Sequence, residues 1–596
     1  MKYPTLPTRS AERTMTDTFR GYNHNLRIAD GEFYDMQNMT SDHYPVLSPR
    51  KPRGLYAEPR SVQGMIAKEQ LCYVDGSDFV IGTNHIAMGL STDAAACPKQ
   101  LVSMGAYVII LPDKMYINTM DTADFGRIEA KVTPVTTWFS SCDEQGNGYT
   151  TASAWQEDAP DPAEHTVWID SSVEPAVLRR YNGISETWEE VRFTHTIIHF
   201  KGADTFSKED TLTISGYRED TAKHLNGSWQ VRHAGNVTNG IVKLPYVVVD
   251  SHQNHTDSIE VLNSSIENQA VTFSRLMPDM DFVIESENRL WGCRYGLNSN
   301  GQPVNEIYAS KLGDFKNWNC FQGISSDSYI ASCGSDGPFT GAITHLGLPL
   351  FFKENCVHKV YGNYPANFQI QTTVCRGVQK GCEKSLAIVN ETLYYKARGS
   401  VCAYDGSLPT EVSYCLGQIP YGSAVGGAFG NKYYLSALDG DGNWNLLVYD
   451  TGKRMWHRED AFHVVQFTAW QGELYAIDYA GGRIVTMLGS GEPAEQQIPW
   501  GVETGELGLS SADMKYISRV VIRLSMEAGS VVRVYGRYDL DEEWQEVAAI
   551  RAQQLRSFSL PIRPRRCDHM KLRIEGEGPV KIYSITKTVE QGSDRS

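Results

Sequence analysis

The residues best suited to bind a cation form one short acidic run. Asp439–Asn443 reads Asp-Gly-Asp-Gly-Asn, and Asp450 stands at the twelfth position counted from Asp439. Because Ca²⁺ prefers several oxygen ligands supplied by a tight turn, this spacing resembles the start of a calcium loop. The sixth position, however, is Trp444 instead of glycine, and strand-like runs flank the segment. A glycine-rich hairpin turn explains the same residues, so we expect no metal site here.

The sequence contains no recognisable catalytic pattern. Glycosidases need two carboxylates that face the scissile bond, and no local pairing distinguishes two of the 71 acidic residues. We find no Gly-x-Ser-x-Gly elbow, phosphate-binding glycine loop or His-Glu-x-x-His motif, and the twelve cysteines include no Cys-x-x-Cys pair. We therefore expect no catalytic residue, no cofactor and no bound metal. The cysteines are interpreted as small buried thiols, and Trp456 as a structural residue packed between sheets.

Positive charge is concentrated near the end of the chain. The net charge is −16, whereas residues 511–596 contain 15 Lys and Arg against 12 Asp and Glu. This concentration is interpreted as a candidate assembly face for an acidic neighbour, such as another copy of the chain. A solvated sheet face explains the same residues, and both interpretations stay open. The candidate assembly residues are Arg551, Arg556, Arg563, Arg565, Arg566, Lys571 and Arg573.

A repeat of about 40 residues sets the predicted architecture. Leu350, Leu393, Tyr433 and Leu474 each centre a short apolar-aromatic strand, and successive strands are 43, 40 and 41 residues apart. A turn and a second strand follow each of them. A steady period of this length is typical of β-propeller blades, which are four-stranded sheets around an axis. We therefore predict an all-β chain with a propeller of about six to eight blades.

The rest of the chain is divided around this repeat. Residues 1–60 are predicted to be an irregular N-terminal segment, because four prolines lie between positions 45 and 59. Residues 61–130 are predicted to form the first blades, and residues 281–490 the remaining ones. Residues 131–280 break the period and are interpreted as an inserted β-rich domain. Residues 491–596 are predicted to form a linker and a β-sandwich, because their strands alternate arginine with Val, Leu or Ile.

Composition excludes several classes of partner. A net charge of −16 argues against broad binding to nucleic acid or anionic membranes, both of which need a basic face. No run of 18 apolar residues is present, so we expect no membrane span. The first residues lack the apolar core of a secretory signal, which predicts a protein made in a reducing cytoplasm.

The N-terminal segment resembles the opening of bacteriophage tail-nozzle or stabilisation proteins. Those proteins often begin with a Gly/Asn patch, an acidic-aromatic patch, an Asn, and a Leu-x-x-Arg element that ends in Gly. The matching segments here are Phe19–Asn23, Asp30–Phe33, Met36–Met39, Tyr44–Arg50 and Gly54. Three further segments are similar to parts of phage tail and prophage structural proteins. They are the strand-turn at Leu225–Gly227, the segment Arg563–Arg566 and the segment Leu572–Gly576.

The resemblance implies a non-enzymatic virion protein with a propeller. Such a protein assembles as a ring at the tail nozzle or hub, contacts adjacent tail or adaptor proteins, and is made in the host bacterial cytoplasm. DNA passes through the ring transiently, without sequence-specific binding. The alternative is a carbohydrate- or receptor-binding propeller, and a glycoside hydrolase is a third hypothesis.

Overall fold

The fold is built from β-strands. A computed structural model describes residues 11–147, 154–173, 176–190, 195–218, 222–239, 242–250, 263–267, 270–298, 301–509, 514–539, 541–551 and 554–591. Within these ranges the strands are joined by turns and by 3-10 helices at Ala94–Ala96, Ala203–Thr205, Lys223–Leu225, Pro365–Asn367, Glu383–Ser385 and Tyr414–Leu416. The all-β prediction is therefore confirmed.

The chain forms two compact units. The first unit contains residues 1–101, 337–360 and 370–596, and the second contains residues 102–336 and 361–369. The strands up to residue 104 are β1 (Ala11–Thr16), β2 (Gly21–Tyr22), β3 (Glu32–Gln37), β4 (Met39–Thr40), β5 (Ser48–Pro49), β6 (Gly54–Ala57), β7 (Val62–Ala67), β8 (Leu71–Asp75), β9 (Asp78–Ile81), β10 (Asn84–Ala87) and β11 (Gln100–Met104).

The next strands belong to the second unit. They are β12 (Tyr107–Leu111), β13 (Met115–Asn118), β14 (Phe125–Arg127), β15 (Ala130–Val132), β16 (Thr136–Cys142), β17 (Ala154–Gln156), β18 (Val167–Asp170), β19 (Val177–Asn182), β20 (Thr187–Glu190), β21 (His195–Phe200), β22 (Thr211–Ser215), β23 (Gly227–Asn239), β24 (Val242–Val249), β25 (Asn263–Glu267), β26 (Thr272–Arg275), β27 (Phe282–Ser286), β28 (Arg289–Leu297), β29 (Pro303–Ala309) and β30 (Tyr329–Ser332).

The remaining strands follow in chain order. They are β31 (Gly341–His345), β32 (Leu348–Lys353), β33 (Cys356–Tyr361), β34 (Gln369–Val374), β35 (Ala387–Val389), β36 (Thr392–Ala397), β37 (Ser400–Tyr404), β38 (Thr410–Glu411), β39 (Tyr421–Phe429), β40 (Lys432–Asp439), β41 (Trp444–Asp450), β42 (Met455–Arg458), β43 (Val464–Trp470), β44 (Glu473–Asp478), β45 (Ile484–Thr486), β46 (Glu492–Pro493), β47 (Pro499–Thr504), β48 (Lys515–Met526), β49 (Val531–Tyr538), β50 (Gln545–Ile550), β51 (Arg556–Ser559), β52 (Arg566–Cys567), β53 (Met570–Glu577) and β54 (Val580–Gln591).

Four-stranded sheets with blade topology recur through the described residues. Strands β7–β10, β11–β14, β27–β30, β31–β34, β35–β38 and β39–β42 each pair in chain order, and β43–β45 are completed by β6. The repeat positions Leu350, Leu393, Tyr433 and Leu474 lie in β32, β36, β40 and β44, the second strand of each sheet, and all four are buried. The 40-residue period therefore marks repeated four-stranded sheets, as predicted.

The N-terminal segment differs from the predicted irregular stretch. β2 and β3 pair with each other and connect β42 to β47, which extends the β39–β42 sheet. β6 pairs with β45, so that Leu55 lies opposite Val485. Most of these strands are only two to six residues long, and their partners lie hundreds of residues away. A segment that pairs this way shows little periodicity of its own, which is why the sequence did not predict its strands.

Two buried arginines attach this segment to the later sheets. Arg50 contacts Glu495 at 2.7 Å and Asp460 at 3.1 Å, and Arg53 contacts Asp460 at 2.7 Å and Glu459 at 2.9 Å. Both arginine side chains are at most 6% exposed. Buried charges are costly unless they are paired and hydrogen-bonded, so these contacts hold the segment in one position.

The carboxylates of this ion network respond differently to burial. Burial alone raises the pKa of Asp460 and Glu495, but the charges and hydrogen bonds of Arg53 and Arg50 outweigh it and lower both pKa values. For Glu459, burial exceeds the effect of the arginines, and its pKa is raised. The arginines therefore favour the charged forms of Asp460 and Glu495, whereas burial disfavours the charged form of Glu459.

Backbone packing explains why a glycine, Gly54, follows the Leu-x-x-Arg element. A Cβ atom added at this position would clash with the carbonyl oxygen of Ser490, so a side chain cannot fit. The close approach lets β6 lie beside both β45 and β46 in one sheet. Glycine is therefore required here by the distance between two backbones.

The C-terminal residues form a β-sandwich. One sheet has the order β1-β54-β48-β51, and the opposing strands have the order β47-β53-β49-β50. Val520 and Leu524 of β48 belong to the same buried cluster as Val532 of β49 and Ile574 of β53. Alternating side chains of each strand fill this core and leave the others on the outer faces. The predicted sandwich is confirmed, with β1 as an additional N-terminal strand.

Residues of the predicted insertion form their own sheets in the second unit. Eight strands have the order β15-β26-β22-β23-β24-β21-β16-β25, and β17–β20 form a separate four-stranded sheet. A bulge between Val231 and His233 interrupts the long strand β23. Phe139, Phe200 and Phe273 lie in the buried core of the larger sheet, and the last two stack at 3.9 Å between ring centroids.

We expect Arg53→Met to lower the free energy of unfolding by about 3–5 kcal/mol, because it leaves buried carboxylates without their partner. The denaturant midpoint, followed by tryptophan fluorescence, measures this loss. The control is Arg60→Met, which removes an exposed arginine six residues from Gly54. An equal midpoint for the two variants would contradict a stabilising role for the network.

Candidate interaction surfaces

The acidic run at Asp439 forms a hairpin turn between β40 and β41. The two oxygens of the Asp439 carboxylate accept hydrogen bonds from the backbone of Asp441 at 3.0 Å, from the backbone of Asn443 at 2.8 Å and from the side chain of Asn445 at 2.9 Å. These bonds outweigh the effect of burial and lower the pKa of Asp439. The carboxylate thus closes the turn with protein donors, as in an Asx-turn.

The other side chains that could bind a metal ion are not clustered in the described part of the chain. No group of three or more His, Cys, Asp or Glu residues there is arranged to hold a metal ion. All twelve cysteines are described, and no disulfide bond joins any of them. No helix within the described ranges is long and apolar enough to cross a membrane. Trp456 is 1% exposed, and its indole N–H donates to the Val412 carbonyl at 2.7 Å, so its position is structural.

The candidate assembly residues do not share one face. Lys571 and Arg573 lie on β53 in one sheet of the sandwich, whereas Arg556 and Arg566 lie on β51 and β52 at the other sheet. Arg551, Arg556, Arg563, Arg565 and Arg566 are exposed. The sequence grouped these residues by their proximity in the chain, and the sandwich separates them because consecutive strands enter different sheets.

Some candidate assembly residues have intramolecular partners. Arg573 contacts Glu503 at 3.2 Å and Glu575 at 3.6 Å, and its guanidinium lies 4.6 Å from the Trp544 ring. The Lys571 ammonium lies 4.9 Å from the ring of Tyr34. Arg565 contacts Asp541 at 2.7 Å. Arg573 and Arg565 are therefore paired with acidic residues of the same chain, and Lys571 lies over an aromatic ring.

The outer face of the β1-β54-β48-β51 sheet carries unneutralised positive charge. Arg519 and Arg523 of β48, Arg13 of β1 and Lys581 of β54 are all exposed, and none of the four forms an ion pair with another described residue. We call these four residues the basic face. The sequences of β48 and β51 contain no acidic residue.

Strand register places the basic face on one side of the sheet. Thr588 of β54 lies opposite both Arg13 and Arg519, which puts these two arginines in one row across three strands. Arg523 lies opposite Ser584. The residues opposite the three arginines, Ser584 and Thr588, are small and polar. Only Arg519 and Arg523 had a sequence signal, the alternation of arginine with apolar residues; Arg13 and Lys581 join them through non-local pairing.

The second unit contains an apolar groove with a volume of about 530 Å³. Its lining includes Phe321, Ile324, Tyr329, Ile330 and Tyr364. The side chains of Phe321 and Tyr364 are 56% and 44% exposed. Exposed aromatic side chains around a concave apolar surface are typical of sites that bind a partner. We call this feature the aromatic groove.

The loop that forms one wall of the aromatic groove is held by buried polar groups. One oxygen of the Asp327 carboxylate accepts hydrogen bonds from three consecutive backbone N–H groups, at residues 322–324. The Arg289 side chain is buried and donates to the carbonyls of Ser325 at 2.8 Å and Ser310 at 2.8 Å. The groove is therefore a preformed feature of its unit, with little ordering cost on binding.

Three rings stack beside the acidic turn in the first unit. The centroids of Trp444 and His463 are 3.5 Å apart, and those of His463 and Tyr479 are 4.2 Å apart. Tyr479 is 66% exposed and ends the column. Burial lowers the pKa of His463 despite the opposing charge of Asp478, which favours a neutral imidazole in the stack. We call this the ring column.

The comparisons with known proteins identify no family for this chain. No protein-family model and no curated protein matches the sequence. The chain is similar to a Trypanosoma rangeli sialidase structure at 8% identity and TM-score 0.24, covering 97% of this chain and 95% of that chain. It is similar to an exo-β-1,3-galactanase from Phanerochaete chrysosporium at 9% identity and TM-score 0.18, covering 51% and 94%. At these scores the likeness carries no argument about fold or activity.

We expect calcium to leave the stability of the protein unchanged, because the Asp439 carboxylate already accepts three protein hydrogen bonds. Melting temperatures with 1 mM chelator and with about 1 mM calcium, a concentration that covers weak extracellular sites, test this. Asp439→Ala is expected to lower the free energy of unfolding by about 1 kcal/mol, with or without calcium. A calcium-dependent rise in melting temperature that Asp439→Ala removes would contradict the hairpin-turn interpretation.

Proposed function

We propose that this chain is a non-enzymatic structural protein of a bacteriophage virion that assembles with other copies at the tail nozzle or hub. The observation that supports assembly is the basic face, because the chain as a whole has a net charge of −16. An acidic surface on a neighbouring copy or on an adjacent tail protein complements it. The position in the virion rests on the resemblance of the N-terminal segment.

The roles of that segment in the fold support the proposal. The Leu-x-x-Arg element supplies Arg50 to the buried ion network, and Gly54 allows β6 to complete a sheet. Two residues of the segments that carry the resemblance, Arg50 and Gly54, thus have structural roles in this unit. A chain of this charge also suits a channel through which DNA passes, because basic walls would retain the phosphates.

We expect the double variant Arg519→Glu/Arg523→Glu to reduce the mass of the assembled protein, because it reverses the charge at the centre of the basic face. Light scattering measures the mass, and particle imaging shows whether ring-shaped particles persist. Raising the ionic strength to about 0.5 M, where screening is nearly complete beyond contact distance, should weaken the wild-type assembly in the same direction.

The matched control is Arg127→Glu/Arg398→Glu, which makes the same change in net charge at exposed arginines in two β-hairpins. The control is expected to assemble like the wild type. A wild-type protein that stays monomeric and does not associate with virions would overturn the proposal. Equal losses in both double variants would show that net charge, and not the basic face, governs assembly.

Carbohydrate recognition is a second candidate function, favoured by the ring column. The exposed face of Tyr479 can stack against the apolar face of a sugar ring, and its two partners hold the ring in place.

We expect that, if this second function is correct, a glycan array gives defined hits that Tyr479→Ala loses. Tyr414→Ala serves as the control, because Tyr414 is 76% exposed and lies outside the ring column. An array without hits for the wild type would exclude this role for the glycans tested.

A further inference from the structure

We propose that the aromatic groove of one copy binds residues 1–10 of a neighbouring copy. This inference rests on the proposed assembly of several copies, and it names a contact in addition to the basic face. The groove lies in the second unit, and the segment precedes β1 of the first unit. A contact between two different surfaces is heterologous, and a heterologous contact repeated around an axis forms a ring.

The sequence of the segment suits an aromatic groove. Residues 1–10 read Met-Lys-Tyr-Pro-Thr-Leu-Pro-Thr-Arg-Ser, with Pro4 and Pro7 three residues apart. A polyproline II helix has three residues per turn, so both prolines and neighbouring apolar groups can face one side. Such helices dock in grooves lined by aromatic residues, at low entropic cost because proline already restricts the backbone.

The lining of the groove provides the matching contacts. Phe321, Tyr364 and Pro365 supply flat or rigid surfaces, and Ile324 and Ile330 are 50% and 41% exposed. The Tyr329 hydroxyl makes no hydrogen bond with other described residues, so it can donate to a backbone carbonyl of the segment. Polyproline II segments leave their carbonyls free for such donors, because they form no internal hydrogen bonds.

The segment is ten residues long. Ten residues in a polyproline II helix span about 31 Å, at about 3.1 Å per residue. Burying the exposed apolar side chains of the groove supplies the main stabilisation, since these side chains otherwise remain in contact with water. The segment is therefore the occupant to which the chain's own sequence points.

The first test uses a fluorescent peptide of residues 1–10 and the protein from which only residues 1–10 have been deleted. Fluorescence anisotropy is expected to show saturable binding. Phe321→Ala and Tyr364→Ala are each expected to weaken it about tenfold, as truncation of an aromatic anchor does. Tyr414→Ala, at an exposed tyrosine of the other unit, is the matched control and should bind normally. A peptide with Pro4→Ala and Pro7→Ala is expected to bind about tenfold more weakly.

The second test asks whether the contact joins neighbouring copies. Deletion of residues 1–10 and the Tyr364→Ala variant are both expected to lower the assembled mass measured by light scattering. Peptide binding with an unchanged mass would overturn the contact between copies. Binding unaffected by the groove variants, or no binding, would overturn the site itself. Arg519→Glu/Arg523→Glu should still bind the peptide, so failure of the basic face and failure of the groove are distinguishable.

Discussion

The buried ion network of Arg50 and Arg53 with three carboxylates is the interaction on which the first unit depends. Arg53 and Asp460 are separated by 407 residues and contact at 2.7 Å. Two guanidinium groups removed from water have a large desolvation cost, which only close carboxylates can offset. The N-terminal segment therefore has one favourable position, and β2, β3 and β6 reach their sheets because of it.

This dependence shapes the whole unit. The sheet of β43, β44 and β45 receives β6 from the N-terminal segment, and the β39–β42 sheet continues through β2, β3 and β47 into the sandwich. Pairing over such separations has a high loop-closure cost in entropy. These contacts therefore stabilise the unit only after most of the chain has folded. The repeated sheets and the sandwich are thus joined by strands of the N-terminal segment.

The outer faces of the two sandwich sheets differ in how their charges are paired. On one sheet of the sandwich, Arg573 is neutralised by Glu503 and Glu575, whereas the basic face on the other sheet has no such partners among the described residues. The acidic turn at Asp439 satisfies its own carboxylate. The basic face has exposed charge without an ion-pair partner among the described residues, and the aromatic groove has exposed apolar side chains. Both surfaces are available to another molecule.

The sequence by itself determined the repeat, the all-β class and the sandwich, because side-chain alternation and a period near 40 residues are local properties of the chain. It also predicted the hairpin at Asp439, whose hydrogen bonds join residues at most six positions apart. Only the tertiary structure decided which arginines share a face: Arg13 and Arg519 meet in one row through β54, and Arg556 and Arg573 separate into different sheets. Strand pairing between distant residues fixes those positions, and a linear sequence does not encode such pairings in any single pattern.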